Sequence, residues 1–342
     1  MFFTRPANSP KAYGCLRPAL RLIGDEGNMK KSFVMLTVFA AACSPAGEDE
    51  VVEAIDSEAS EIRSADEDAE KRGPGQIISE SAPEDWRALD PENLLVLQLD
   101  RGRVTIALSE QLAQGHVAQM KALARDDFYD GLSFYRVIDG FVAQGGDVFE
   151  TRKVVSAAPS IPAEFEDPLT AEMSLTPLKD VDGYASQVGF LDSEPVGVEG
   201  ETIWKLHCTG AVAMARNNER DSGGTEFYIT LQPQRYLDRN LTVFGNVVEG
   251  MELVQQLRRV APPETEEDDR GEEIVSMRVA ADLPEGERPR LEILRADTQT
   301  FADLVESRRN RPEEFFYYRP DHVDVCAVNM PVRTIAGDAA AE

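Results

Sequence analysis

Basic residues are scarce in this chain. Its 342 residues hold 35 Lys and Arg against 62 Asp and Glu, a formal net charge of −27. That argues against nucleic-acid binding, which needs a basic surface. Cysteine is scarce too: Cys15, Cys43, Cys208 and Cys326, with no CxxC pair. The three histidines, His116, His207 and His322, are scattered. Zinc ligands come at short paired spacings, so no metal site is expected. No apolar run is long enough to span a bilayer, and no internal repeat is visible. Gly145-Gly146 and Gly223-Gly224 do not open a helix as a phosphate cradle would, and read as turn glycines. No Ser–His or paired-carboxylate arrangement at catalytic spacing stands out. A hydrolase using Glu226 or Asp147 is therefore without support.

Hydrophobic content of 42% is ordinary for a packed core. The acid is concentrated in two blocks, residues 48–70 and Glu264–Glu273, which read as solvated, disordered segments. At the N-terminus, Met29-Lys30-Lys31 precedes an apolar stretch, Phe33–Ala42, and then Cys43-Ser44. This has the parts of a secretory signal over residues 29–43. Cys43 after Ala40-Ala41-Ala42 resembles a bacterial lipoprotein box, with Ala40 where that box usually has Leu. Lipidation at Cys43, export with ordinary cleavage, and a cytoplasmic protein with an apolar N-terminus are the three readings. The first places the chain in the periplasm, lipid-anchored to a bacterial membrane, and the anchor is then the only membrane contact. Residues 1–28 contain no apolar run of their own, and Met29 reads as the true start. In an oxidising compartment Cys208 and Cys326 are the two thiols left to pair. A disulfide tying the C-terminal tail to the barrel and two buried thiols both remain open, because sequence supplies no distance.

Residues 44–88 are rich in Glu, Asp, Ser, Ala and Pro and read as an acidic, flexible spacer. Order is expected from about Leu94. LLVLQL, Asp100-Arg101-Gly102 and RVTIAL read as two strands and a tight turn, with Val104, Ile106 and Leu108 on one face. Leu112, Val117, Met120 and Leu123 recur at helical spacing. Short strands follow in LSFYRVI, GFVAQGG, AVAMAR, EFYITLQ and TVFGNVV, and a second helix opens at Gly250. The pattern predicts a mainly β fold, a closed antiparallel barrel capped by two helices, over residues 92–260. An insert of about 149–209 and a C-terminal α+β extension, 274–333, carry further strands and one helix. They are expected to pack on the barrel's outside or to serve as a partner platform.

Three runs carry the chemistry: FYRVIDGFVAQGGD (Phe134–Asp147), AVAMARNNERDSGGTEFYIT (Ala211–Thr230) and YLDRNLTVFG (Tyr236–Gly245). Together and in this order they resemble the signature of cyclophilins, the peptidyl-prolyl cis/trans isomerases. The resemblance covers roughly 92–260 and implies the cyclophilin barrel, a proline-containing polypeptide substrate and no cofactor. A prolyl bond rotates slowly because amide resonance raises a barrier of about 18–20 kcal/mol. A catalyst must stabilise the twisted amide with a donor and grip the proline in an apolar pocket. The resemblance makes Arg136 the catalytic cation and Gln144 its orienting partner. Phe141, Val142, Ala215, Arg216, Glu226, Tyr228, Tyr236, Leu237 and Leu241 then line the substrate groove.

Several positions depart from the family's usual pattern. Arg216 stands for a common Asn, Glu226 for Gln, Tyr236 for Trp and Leu241 for His. Glu226 is expected to be able to pair with Arg136 or Arg216, and the hydroxyl of Tyr228 needs a partner if buried. The leading expectation is an isomerase acting, as a monomer, on Xaa-Pro bonds of exported proteins and assisting their folding. The alternative is a non-catalytic module or chaperone that grips proline segments on the same scaffold.

Overall fold

Apolar residues alternate along Gly102–Leu108, and alternation of period two folds as strand; Ala211–Met214, Phe227–Thr230 and Val243–Glu249 are short, largely apolar strands. In the computed structural model, which describes residues 72–265 and 268–335, these segments join one antiparallel sheet. Its order runs Glu272–Ile274, Leu132–Val137, Val142–Gly146, Phe227–Thr230, Ala211–Met214, Val243–Glu249, Gly102–Leu108, Leu94–Leu99 and Ser276–Val279. The two end strands are consecutive parts of one segment. Its first half pairs with Leu132–Val137 and its second with Leu94–Leu99, so the sheet closes on itself.

The barrel was expected to end near 260, with 274–333 outside it. Instead residues 272–279 complete it. Ile274, Met277 and Val279 are buried in its core, among Leu97, Ile106, Phe134, Phe227 and Phe244. The end of the acidic block Glu264–Glu273 is thus strand, held by Arg101 on Glu272. The helix Gln114–Arg125 packs Val117, Met120 and Leu123 onto the same core. A short second helix, Met251–Gln255, buries Val254 against it.

The insert forms a five-stranded sheet in the order Asp167–Pro168, Thr202–Lys205, Glu194–Glu199, Gln187–Leu191 and Leu175–Pro177. It also serves the barrel's first helix, whose N-terminus lacks a cap from its own sequence. The Glu164 carboxylate accepts the Gly115 and His116 amides, each at 2.9 Å, placing negative charge where the helix dipole favours it.

Insert and C-terminal extension share one core. Phe190 and Trp204 of the insert pack with Phe301, Leu304 and Val305 of the helix Gln299–Arg309, the Phe190 and Phe301 rings edge-to-face at 5.0 Å. Ile77 and Trp86 complete that core. They come from the helix Pro74–Ser79 and the strand Trp86–Ala88, which pairs with Leu291–Leu294. The spacer expected through residue 88 therefore gives way to folded chain from about 73, because two large apolar residues in it have a core to enter. The rest of that spacer, the signal segment 29–43, Cys43 and residues 1–28 lie outside the described residues. Cys208 and Cys326 are disulfide-bonded. No helix among the described residues is long and apolar enough to cross a membrane.

Candidate active site

Strand register assembles the site. Arg136 faces Gln144, Gln144 faces Tyr228, Tyr228 faces Ala213 and Ala213 faces Val243, across five neighbouring strands. Directly opposed residues share a face, so these five form one row. It lies on the barrel's outside, since the alternating partners Ala143, Phe227, Ile229, Val212 and Phe244 point into the core. On this outer face Val142, Ala213, Tyr228 and Val243 make a separate apolar cluster, with Phe141, Ala215, Leu237 and Leu241 packed partly exposed around it. The result is an apolar cup with one guanidinium at its edge. The short helix Arg235–Leu237 supplies Leu237, while Tyr236 stands on the rim, 59% exposed.

The Arg136 Nη1 donates to Gln144 Oε1 at 3.1 Å, and its guanidinium lies 5.4 Å from the Phe141 ring centroid. Gln144 Nε2 in turn donates to the Tyr135 hydroxyl. Tyr135 and Arg136 are consecutive, and in a regular strand they would point to opposite faces. The pairing register shifts between Ser133 and Arg136, and such an irregularity re-aims side chains. Both residues thereby reach the same glutamine. Sequence reading missed Tyr135, since nothing in the alternation announces the shift.

Glu226 does not form the ion pair expected with Arg136 or Arg216. The Arg216 guanidinium is taken by backbone carbonyls, Asn240 at 3.0 and 3.1 Å and Asn217 at 2.7 Å, and lies over the Phe165 ring. The Glu226 oxygens are shielded from solvent and make no hydrogen bond of good geometry, with the Tyr135 hydroxyl and the Asp147 amide as their nearest donors. They press on Gly146, where a Cβ would come within 2.5 Å of them and where φ is +140°, so only glycine fits. Glu226, Asp147 and Tyr135 line a cavity of about 660 Å³ that adjoins the cup at Gln144 and Ala215. Burial pushes the Glu226 carboxyl up to about 7. The Tyr135 hydroxyl and the Asp147 amide offset this only partly, and the Asp147 carboxylate adds to it.

A consequence for stability follows from that carboxyl. Between its ordinary 4.5 and about 7 the folded chain holds a proton that the unfolded chain has released. This group's contribution is therefore full below that window and is lost as pH rises through it. Glu226→Gln cannot ionise. Denaturant midpoints should show it more stable than the parent at pH 8, by on the order of 2 kcal/mol, and equal to it at pH 4. Equal midpoints at both pH values would place the carboxyl in water.

The sequence model of the family described as cyclophilin type peptidyl-prolyl cis-trans isomerase/CLD matches residues 94–279, more than half of the chain. This chain belongs to that family. A probable peptidyl-prolyl cis-trans isomerase of Brucella suis is 30% identical over 216 residues, covering 60% of this chain and 91% of that protein. Peptidyl-prolyl cis-trans isomerase B of Bacillus subtilis is 31% identical over 158 residues, 46% of this chain and 85% of that one. The crystal structure of cyclophilin AquaCyp293 from Hirschia baltica superposes with a TM-score of 0.62 at 30% identity. It covers 77% of this chain and 98% of its own, so the likeness reaches beyond the segment that the family model matches. The protein is thus a cyclophilin-type peptidyl-prolyl cis-trans isomerase, and the family match, like this chain's last barrel strand, ends at residue 279 rather than 260.

Proposed function

We propose that this cyclophilin isomerises Xaa-Pro bonds of exported proteins in the cup described above, assisting their folding. Arg136 is the donor that stabilises the twisted prolyl amide, and Gln144 fixes its direction. Val142, Tyr228, Leu237, Leu241 and Phe141 hold the proline ring, with Ala215 and Arg216 flanking the peptide backbone. One observation carries this reading: a guanidinium clamped by an amide at 3.1 Å stands beside an apolar cup open to solvent. A pyramidal prolyl nitrogen needs a preorganised cation and a dry neighbour. Addition of an Ala-Pro-Phe peptide to the full chain should shift the NMR signals of Arg136, Gln144, Ala215 and Tyr228 and speed cis/trans exchange. Shifts confined to another face would remove the assignment.

The export part rests on the basic and apolar run before Cys43 and on the Cys208–Cys326 bond, since disulfides persist in oxidising compartments. A lipid on Cys43 would hold the isomerase at a bacterial membrane facing the periplasm. Cell fractionation of Cys43→Ser tests this. The variant should move from the membrane to the soluble periplasmic fraction, and unchanged fractionation would remove the anchor.

A further inference from the structure

We propose that His207, at the end of the insert, is a positioning residue for the proline cup, and that Asp182, earlier in the same insert, sets it through Arg235 and Asp238. This inference rests on the assignment of Tyr228 to the cup. Tyr228 is 5% exposed, and its hydroxyl lies 2.9 Å from His207 Nε2, with the two rings stacked at 14°. His207 has no exposed surface. Its Nδ1 lies 3.0 Å from Asp238 Oδ1, which also accepts the His207 backbone amide at 2.9 Å. A carboxylate has only lone pairs to offer, so Nδ1 carries a hydrogen; in the neutral imidazole Nε2 is then the acceptor, and the Tyr228 hydroxyl donates to it.

The chain of contacts continues outward. Arg235 Nε donates to Asp238 Oδ2 at 2.6 Å, and its two terminal nitrogens donate to Asp182 at 2.8 and 3.0 Å. Asp182 belongs to the insert and is fixed there by the amides of Tyr184 and Ala185. Every partner from Asp182 to Tyr228 is nearly or fully buried. The backbone reinforces the same point: Gln234 donates its amide to the His207 carbonyl at 2.7 Å, and its side chain holds the Gly140 carbonyl beside Phe141.

A phenylalanine would fill the cup's floor without needing any of this. The hydroxyl ties the floor to a fixed point, and a buried hydroxyl without a partner would be costly. The relay therefore sets the tilt of the Tyr228 ring, and with it the cup's grip on proline. A residue that shapes the cup without touching the reacting amide affects ground and transition states alike, which appears in KM rather than kcat.

The test measures KM, kcat and melting temperature on the full chain, with an Ala-Pro-Phe peptide. His207→Leu should raise KM about tenfold with kcat within twofold. His207→Gln, whose carbonyl can still accept the hydroxyl, should recover most of the loss. Tyr228→Phe should resemble His207→Leu, and the double variant should be no worse than either, as for two halves of one interaction. Asp182→Asn should raise KM about threefold. A lowered melting temperature with KM unchanged in His207→Leu would make His207 an ordinary core residue. Should that variant not fold, unchanged KM in both Tyr228→Phe and Asp182→Asn overturns the proposal. If Arg136→Ala keeps full activity, the cup itself is misassigned, whereas loss there with unchanged KM in the relay variants sinks only the relay.

Discussion

Arg136→Ala is expected to lower kcat/KM for prolyl isomerisation by about 10²–10³-fold, the cost of removing one preorganised donor from a site of this kind. The reaction breaks no bond, so the barrier of about 18–20 kcal/mol is amide resonance alone. Stabilising the twisted state is then the whole task, and it falls on few groups. In the cup Arg136 is the charged one, held by Gln144 and Phe141. Folding should be nearly indifferent to the change. Arg136 is partly exposed and forms no ion pair among the described residues, so its loss strands no buried charge and should cost within about 0.5 kcal/mol. Arg136→Lys should recover little, because an ammonium cannot bond Gln144 and face the amide with one rigid fork. Exchange spectroscopy on Ala-Pro-Phe with the parent and both variants decides it. Activity of Arg136→Ala within threefold of the parent would move the catalytic donor elsewhere.

The second large effect lies in stability. The disulfide joins residues 118 apart in sequence. In the chain-entropy account, a closed loop of that length favours the folded state by about 4–5 kcal/mol. Cys208→Ser/Cys326→Ser, or the parent under reductant, should therefore unfold at markedly lower denaturant. The loss should not be uniform. Cys208 and Cys326 pack at the core built by insert and extension, whereas the barrel has a core of its own. Tryptophan fluorescence reports the first, since Trp86 and Trp204 both sit there. Its transition should shift further than that of the barrel amides in hydrogen exchange. Identical midpoints with and without reductant would mean that the bond adds nothing.

Much of this was legible in the residues. Alternation in RVTIAL places a strand, EFYITLQ reads as a short strand, and helical spacing of Val117, Met120 and Leu123 places the first helix. The run Phe134–Asp147 carried Arg136, Phe141, Val142 and Gln144 because one hairpin brings them together. What escaped reading depends on contacts that no local period records. The register shift that turns Tyr135 toward Gln144 is one. The partner of the Tyr228 hydroxyl is another, since His207 lies 21 residues away, in the connection between Thr202–Lys205 and Ala211–Met214. Glu226 was read as a salt-bridge partner on charge alone, but Arg216 found carbonyls closer at hand. Ile77 and Trp86 sit in a composition that argues disorder, yet two apolar side chains with a core to enter outweigh it.

The segment 272–279 acts as a shared stave, one half hydrogen-bonded to each side of the opening. A sheet finished in this way leaves no row of unpaired amides along its rim. Such rows are the templates on which open sheets recruit strands from other chains and begin to aggregate. The stave also leads directly into the extension, so the two are joined as a keystone is joined to the wall above it. Loss of the extension from its first strand onward would strip two rims at once, along Leu132–Val137 and Leu94–Leu99. In this chain the added region and the isomerase body cannot be parted at residue 260, only beyond 279.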